Sequence, residues 1–584
     1  MNVLVYFLLA VFAFIFASRY YAKYIAKTIG EDSCHPTPSQ TINDGRDYVP
    51  SKRYIVFAHH FSAIAGAGPI IGPTMAILYG FVPAWLWIVL GGIFFGAVHD
   101  FTALFTSMRE GGKSMAEVAR KSLGQSGFNL FIIFTILMIV LVTSSFLAAT
   151  AISLTSLWPV SKIGISGTDT FLKTVTVNGV VMGRIGGIAS MSVIIITLCS
   201  PVLGFLIYKK SIKALYAYTL ALIICVVSVL LGILYPVSLL PHTWMLILSV
   251  YVLFAAGLPV WMVLQPRDFI NVQILYGGII LMTVSILLTG FRGLSLSVPN
   301  FNLTDGINNL GYLWPMMFIT IACGAISGFH SLVAGGTTCK QLPNECDARN
   351  VGYNAMLLES ALAVCVLLAI GVGLNFNDYK SIVWPSEPGV KSNPILGFSL
   401  AAGGLFNQGL SIPVALGTVF GILLVEGFVI TTLDAAIRLN RYLFEELWAI
   451  IFKNPPKIVK HYWFNSGVSV ILMLILAYTN AFSALWPIFG AANQLLATLG
   501  MIAVSAWLLS KGKKFYFLMI PAIFMIITTL ASLIILIKKY YLQANYILVA
   551  TDILLFCLAV GVIILSVKTF GKTSPTAGVA ESGK

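Results

Sequence analysis

The sequence predicts an all-α polytopic membrane protein, and three observations predict it. Of the 584 residues, 58% are hydrophobic and only 10% are charged. The mean hydropathy of +0.92 is far above that of a soluble domain with a polar surface. Apolar stretches of about 20 residues, long enough to cross a bilayer as helices, recur along the chain, and the alternating ten-residue pattern of a membrane barrel is missing.

About fifteen spans follow, near 3–18, 55–80, 84–107, 127–157, 186–208, 212–235, 243–264, 268–290, 312–336, 354–374, 412–436, 462–480, 484–510, 515–537 and 547–568. Residues 395–410 are apolar and Gly-rich but short, which suits a re-entrant segment. The net charge of +14 comes from basic residues in short clusters between apolar runs. The positive-inside rule accounts for these clusters better than nucleic-acid binding does. Arg19–Lys27, Arg109–Lys121, Lys209–Lys213, Arg438–Lys460 and Lys511–Lys514 all fall on one side if the N-terminus lies outside and the C-terminus in the cytoplasm. The first charge follows the first apolar run, so this run lacks the basic n-region of a cleavable signal peptide.

The connections are too short for a separate catalytic domain. The outer loop 159–185 reads as a small extracellular cap, 375–411 as a second outer loop, and 571–584 as a disordered tail. SMAEVARKSLG (Ser114–Gly124) begins like a capping box on a short interfacial helix. REGGKS (Arg109–Ser114) lacks the first glycine of a phosphate-binding loop, and HExxH is absent. ATP-driven pumping and membrane hydrolysis therefore have no anchor in this chain.

The chain is organised around AHHFSAIAGAGPIIGP (Ala58–Pro73). It is apolar enough for a membrane, yet it carries His59 and His60 and then Gly66, Gly68, Pro69, Gly72 and Pro73. Proline lacks an N–H and clashes with the preceding turn, and glycine tolerates non-helical angles, so the helix is expected to unwind between about Ala65 and Gly72. Irregular backbone at membrane depth survives only where protein or a water-filled cavity satisfies it, so a break predicts a polar site. A kink used only for packing is the competing reading.

Other intramembrane polar residues extend this picture. Asp100 in GAVHDF either faces a cavity and carries an ion, or pairs with Arg109 near the membrane face. ACGAISGFHSLVAGGTT (Ala322–Thr338) repeats the small residues, a histidine and hydroxyls, which makes Ser327, His330 and Ser331 candidates; close helix packing explains the same composition. GLPVWMVLQPRDF (Gly257–Phe269) is interrupted by prolines, with Trp261 and Gln265 placed to line a cavity. Glu426 lies mid-span without a local partner, whereas Asp434 and Arg438 are spaced to pair with each other. Asn493 and Gln494 suit interhelical bonding and substrate contact equally. Cys34, His35, Cys339 and Cys346 fall in inner loops, and three thiolates with an imidazole suit a structural zinc, though their spacing matches no compact motif.

Several strings together, NDGRDYVP (Asn43–Pro50), AHHFSAIAGAGPIIGP, GAVHDF, MREGGKS, LPVWMVLQPRDF, ACGAISGFHSLVAGGTT, TTLDAAIRLNRY and LWPIFGAANQLLA, resemble the carbon starvation protein A family of bacterial peptide and pyruvate transporters. The resemblance runs from about residue 40 to 500. It implies an inner-membrane secondary transporter, not an enzyme, with distant kinship to the leucine-transporter fold and its two inverted five-helix repeats. Segment 1–30 is then a peripheral helix, 54–436 the inverted-repeat core, and 437–570 additional helices. The second span and the seventh, both Gly/Pro-interrupted and entering from opposite sides, are expected to be the matching broken helices.

The expected activity is proton-coupled import of short peptides, pyruvate or both. Sodium coupling of an amino-acid or carboxylate symporter and a non-transporting nutrient sensor are the alternatives. His59, His60, Gly66, Gly68, Pro69, Gly72, Trp261, Gln265, His330 and Ser331 are expected to contact substrate. Asp100, Glu426 and Ser327 are expected to carry the coupling ion, H+ or Na+. No cofactor is required, a structural zinc is the one metal the inner-loop cysteines suggest, and the expected partners are the small-molecule substrate, the coupling ion and the lipid bilayer, with no nucleic acid.

Overall fold

The computed structural model describes residues 2–44, 48–163, 172–210, 212–259, 262–387, 390–452 and 454–572. Part of NDGRDYVP, Trp261 and the tail from 573 lie outside the described residues. Almost every described element is a helix. Twelve are long and apolar enough to cross a membrane, or up to 13 with one bent pair counted as a single span. Two further predicted spans take other forms. One is the shorter apolar helix Pro241–Gly257. The other is a pair of short helices, Leu313–Thr320 and Phe329–Gly336, with non-helical chain between them.

Contacts define two ends of the bundle. At the basic end the Arg109 guanidinium donates to Gly30 O at 3.0 Å and to Glu345 Oε2 and Oε1 at 2.5 and 2.7 Å. There Trp507 Nε1 also reaches Glu110 Oε1 at 2.6 Å. The loops that charge assigned to one side thus meet in space. At the opposite end a small antiparallel sheet, Trp158–Pro159, Thr174–Val177 and Val180–Gly183, accounts for part of the 159–185 cap. Lys162 Nζ joins it to Asp378 Oδ1 at 2.5 Å.

The segment 375–411 is not a loop. It forms a short helix, Phe376–Val383, and a buried 17-residue helix, Pro394–Leu410. Its glycines explain the difference. A Cβ on Gly403 would meet Val414 O at 2.6 Å, so this stretch packs backbone to backbone on the Val414–Ile451 helix.

The element order repeats, upside down. A broken pair, Arg53–Ile64 and Gly68–Ala76, leads from the basic end into Phe81–Arg109, which contains a π turn at Gly92–Gly96, and then the short helix Met115–Leu123. Leu313–Thr320 and Phe329–Gly336 lead from the other end through a π turn at Arg349–Tyr353 into Asn354–Gly373, and then Phe376–Val383. The counterpart of the first break is therefore the 313–336 segment, not the seventh span. Around Pro259 the chain only ends one helix at Gly257 and starts the next at Leu264, because two prolines seven residues apart forbid a continuous helix there.

Candidate functional site

The first break is tighter than its glycines and prolines suggest. Helix stops at Ile64, bends by 45° and resumes at Gly68. Pro69 sits in the first turn, where its missing N–H has no intrahelical acceptor to lose, so Gly68–Gly72 is helical and only 65–67 is unwound. The second break is longer, from Ile321 to Gly328.

Each carbonyl and N–H freed in the second break must find a partner, because hydrocarbon offers none. Gln494 Nε2 donates to Phe318 O at 2.6 Å and Trp486 Nε1 to Thr320 O at 3.0 Å. Trp87 Nε1 donates to Ile321 O at 3.0 Å and Ser360 Oγ to Gly324 O at 3.0 Å. Asn493 takes the other side. Its Oδ1 accepts from Phe329 N at 3.1 Å, its backbone oxygen accepts from Gly328 N at 3.1 Å, and its Nδ2 donates to Ser327 Oγ at 3.1 Å. Asn493 and Gln494 thus clamp the break through interhelical hydrogen bonds. The clamping helix, Phe482–Ser510, is buried along the whole of its most apolar window.

The two breaks touch. A Cβ on Gly68 would lie 2.5 Å from Cys323 Sγ, and one on Gly72 would lie 2.9 Å from Thr320 O. A Cβ on Gly66 would lie 3.4 Å from Thr432 Oγ1 of the Val414–Ile451 helix, and one on Gly324 would lie 4.0 Å from Pro69 Cα. Gly68, Pro69 and Gly72 therefore line the junction with the second break, while Gly66 faces the Val414–Ile451 helix.

A buried ionisable group stands beside this junction. Asp100 Oδ2 is 2.7 Å from His330 Nδ1, and Asp100 Oδ1 is 2.8 Å from His99 Nδ1. His330 Nε2 lies 3.3 Å from Glu359 Oε2. All four side chains are at most 1% exposed. Pairing of Asp100 with Arg109 is excluded, since Arg109 is engaged by Glu345. Ser331 Oγ donates to Gly328 O at 2.7 Å, closing the first turn of its own half-helix.

His60 Nδ1 contacts Thr338 Oγ1 at 2.9 Å, tying the first broken helix to the end of the second, and its Nε2 is buried without a partner among the described residues. It lies within electrostatic reach of Asp100 and His330. His59, next to it in sequence, is exposed. Sequence reasoning missed Glu359 and gave His99 no role. An acidic residue in the middle of LLESALAV was a sufficient signal for Glu359.

Glu426 belongs elsewhere. It lines a narrow cavity with Arg267, Asn271 and Thr197, and the hydroxyls of Ser153 and Thr150 face it without closing a hydrogen bond. Arg267 Nη2 pairs with Asp434 Oδ2 at 2.7 Å, and Arg267 Nη1 also bonds Tyr251 Oη. The expected Asp434–Arg438 pair does not form. Arg438 instead donates to Ala255 O at 3.0 Å and Leu258 O at 2.5 Å, satisfying the end of the Pro241–Gly257 helix. Gln265 is exposed on an outer groove with Tyr208, Tyr218 and Phe269, apart from both breaks.

The expected zinc ligands are not assembled. Cys34 is exposed, Cys339 is buried with its thiol on Gly335 O at 3.3 Å, and His35 Nδ1 rests 3.3 Å from Glu345 Oε2. Among the described residues no group of three or more His, Cys, Asp or Glu is placed to hold a metal ion. Cys346 is drawn to a network of carboxylates instead. Burial pushes the nearby Glu31 carboxyl above its usual range, with Glu345 and Asp347 adding to burial and Arg349 opposing it.

The family model described as carbon starvation protein CstA matches residues 2–388 and 373–532. The chain belongs to the carbon starvation protein CstA family. Within it, the chain is 30% identical over 563 residues to a Bacillus subtilis (strain 168) protein named peptide transporter CstA, covering 88% of this chain and 87% of that one. It is 29% identical over 597 residues to the Escherichia coli (strain K12) pyruvate/proton symporter BtsT, covering 89% and 80%. Among solved structures, the Eremococcus coleocola manganese transporter aligns with this CstA-family chain at TM-score 0.49 and 11% identity, covering 91% of this chain and 98% of that one.

Proposed function

We propose that this chain is a proton-coupled secondary transporter that imports short peptides, pyruvate or both across the bacterial inner membrane. The names of its relatives, peptide transporter CstA and pyruvate/proton symporter BtsT, support the substrate class. The observation that carries the reading is the contact between the two breaks at Gly68 and Cys323, with the Asp100–His330 pair beside it. The substrate carboxylate meets the first-turn N–H groups at Gly68, which a helix N-terminus leaves without intrahelical acceptors. The coupling proton resides in the Asp100–His330 group, with His60 bridging the two broken helices. Positive-inside charge places the basic end in the cytoplasm, the N-terminus in the periplasm and the C-terminus in the cytoplasm.

Counterflow in proteoliposomes tests the substrate class. Vesicles preloaded with unlabelled alanyl-alanine or pyruvate should draw in the same labelled compound. Binding without counterflow of either compound would instead identify a nutrient sensor, and counterflow that requires sodium would replace the proton as the coupling ion.

A further inference from the structure

We infer that Glu359 is the group on which the coupling proton is loaded and released, with His330 as the shuttle between it and Asp100. This rests on the transporter reading above and assigns the coupling step within that site. His330 is the only one of the three on a half-helix of a broken span, Phe329–Gly336. Asp100 and Glu359 stand on two different continuous helices, Ala97–Arg109 and Asn354–Gly373. The imidazole is held between them, Nδ1 at 2.7 Å from Asp100 and Nε2 at 3.3 Å from Glu359. The short side is a made hydrogen bond. The long side is open, and both Glu359 oxygens lack a hydrogen-bond partner among the described residues although the side chain is fully buried.

Charge counting explains why the open side matters. With His330 neutral and its proton on Nδ1 toward Asp100, two ionised carboxylates put two negative charges where water cannot screen them. One proton on Glu359 removes one of them. The groups facing Glu359 are His330, Asp100 and the Cys323 thiol. Asp100 is also faced by His99, and His330 lies within reach of His60. Cys323 lies at the contact with Gly68, so the charge on Glu359 is felt at the proposed substrate position.

The step balances as one proton. A proton taken up by the Glu359 carboxylate forms a carboxylic acid. That acid donates to the unprotonated Nε2 of the neutral His330 ring once the half-helix closes the gap, and the imidazolium so formed releases its Nδ1 proton to Asp100. Movement in the opposite sense passes the proton back, from Asp100 to Nδ1 and from Nε2 to Glu359, and Glu359 releases it to the other side, which returns the group to its starting state.

Glu359→Gln keeps the shape and a hydrogen-bonding group while removing the titration. In proteoliposomes a gradient of one pH unit drives up to about tenfold accumulation per coupled proton. The wild-type protein should show that accumulation together with substrate-dependent acidification reported by a trapped pH dye. Glu359→Gln should hold labelled substrate at about onefold, abolish the dye signal, and retain counterflow; Glu359→Asp should restore part of the accumulation. Thermal unfolding of each variant in detergent separates this from misfolding. If Glu359→Gln folds and still concentrates substrate with the wild-type dye signal, the inference is wrong while the transporter reading stands. If the wild-type protein exchanges substrate but ignores the pH gradient, both the inference and proton coupling are wrong.

Discussion

Gly68 and Cys323 meet where the two broken spans cross, and a Cβ on Gly68 would stand 2.5 Å from the Cys323 sulfur and 2.6 Å from its Cβ. No ordinary side-chain contact is that close, so one of the two helices must move to admit it. Gly68→Ala should therefore destabilise the protein by about 1–3 kcal/mol through overpacking and reduce counterflow. Adding Cys323→Gly, which removes both clashing atoms, should recover much of the loss in thermal unfolding. Equal melting of the single and double variants would mean the junction is looser than this contact implies.

Asn493 serves four groups of the second break at once: Cys323 Sγ, Ser327, Phe329 N and Gly328 N, the last through its backbone. Asn493→Ala keeps the backbone contact but strands Phe329 N and leaves Ser327 Oγ and Cys323 Sγ only each other, at about 1–3 kcal/mol for each group left unsatisfied. Hydrogen exchange should rise across 321–329 before it rises elsewhere. Unchanged protection there would remove Asn493 from its role as a clamp.

Arg267 and Asp434 are 2% and 0% exposed and form a buried ion pair. Removing one partner leaves the other charge uncompensated, so Arg267→Ala should cost about 3–5 kcal/mol. Replacing both with leucine should cost less than the single change. A double-mutant cycle in detergent-solubilised protein measures this coupling, and additive losses would contradict it.

Glu110, just past the Phe81–Arg109 span, gives a pH dependence at the basic end. Burial tends to raise its carboxyl, but hydrogen bonds from Lys121 and Trp507, with the Lys121 and Lys511 charges, hold it below the usual carboxylate range. A depressed folded-state value means that its stabilisation is fully present above the ordinary carboxylate range and is lost as pH falls through the lowered one. The melting temperature of the wild-type protein should thus fall more steeply than that of Glu110→Gln on acidification below about pH 4.5. Parallel curves would show that Glu110 adds nothing there.

Much of this architecture could be read from residue chemistry alone. Gly66, Gly68 and Pro69 announce a break because no helix tolerates that density of glycine and proline without cause. The width of the break could not be read, since Pro69 stabilises a helix start as readily as it ends one. The partner of the break was misplaced at Pro259 because prolines are conspicuous. The real counterpart, 321–328, is unwound by glycines and by hydrogen bonds from Trp87, Ser360, Trp486 and Asn493, residues between 36 and 234 positions away. Asp100 and His330 were visible as costly intramembrane polar groups. Their contact with Glu359 was not, because helices that meet in a bundle leave no trace of register in sequence. Asp434 and Arg438 show the reverse error, where i,i+4 spacing permitted a pair that tertiary partners took apart.

The proposed substrate position, where the two breaks face each other, is open to direct observation. A cryo-electron microscopy map of the protein in lipid nanodiscs, taken with a saturating substrate that exchanges in counterflow, tests it most directly. New density is expected in contact with residues 65–68 and with the 321–328 segment, within reach of His330. Density confined to the groove around Gln265 or to the Glu426 cavity, with the two breaks still closed on each other, would contradict it.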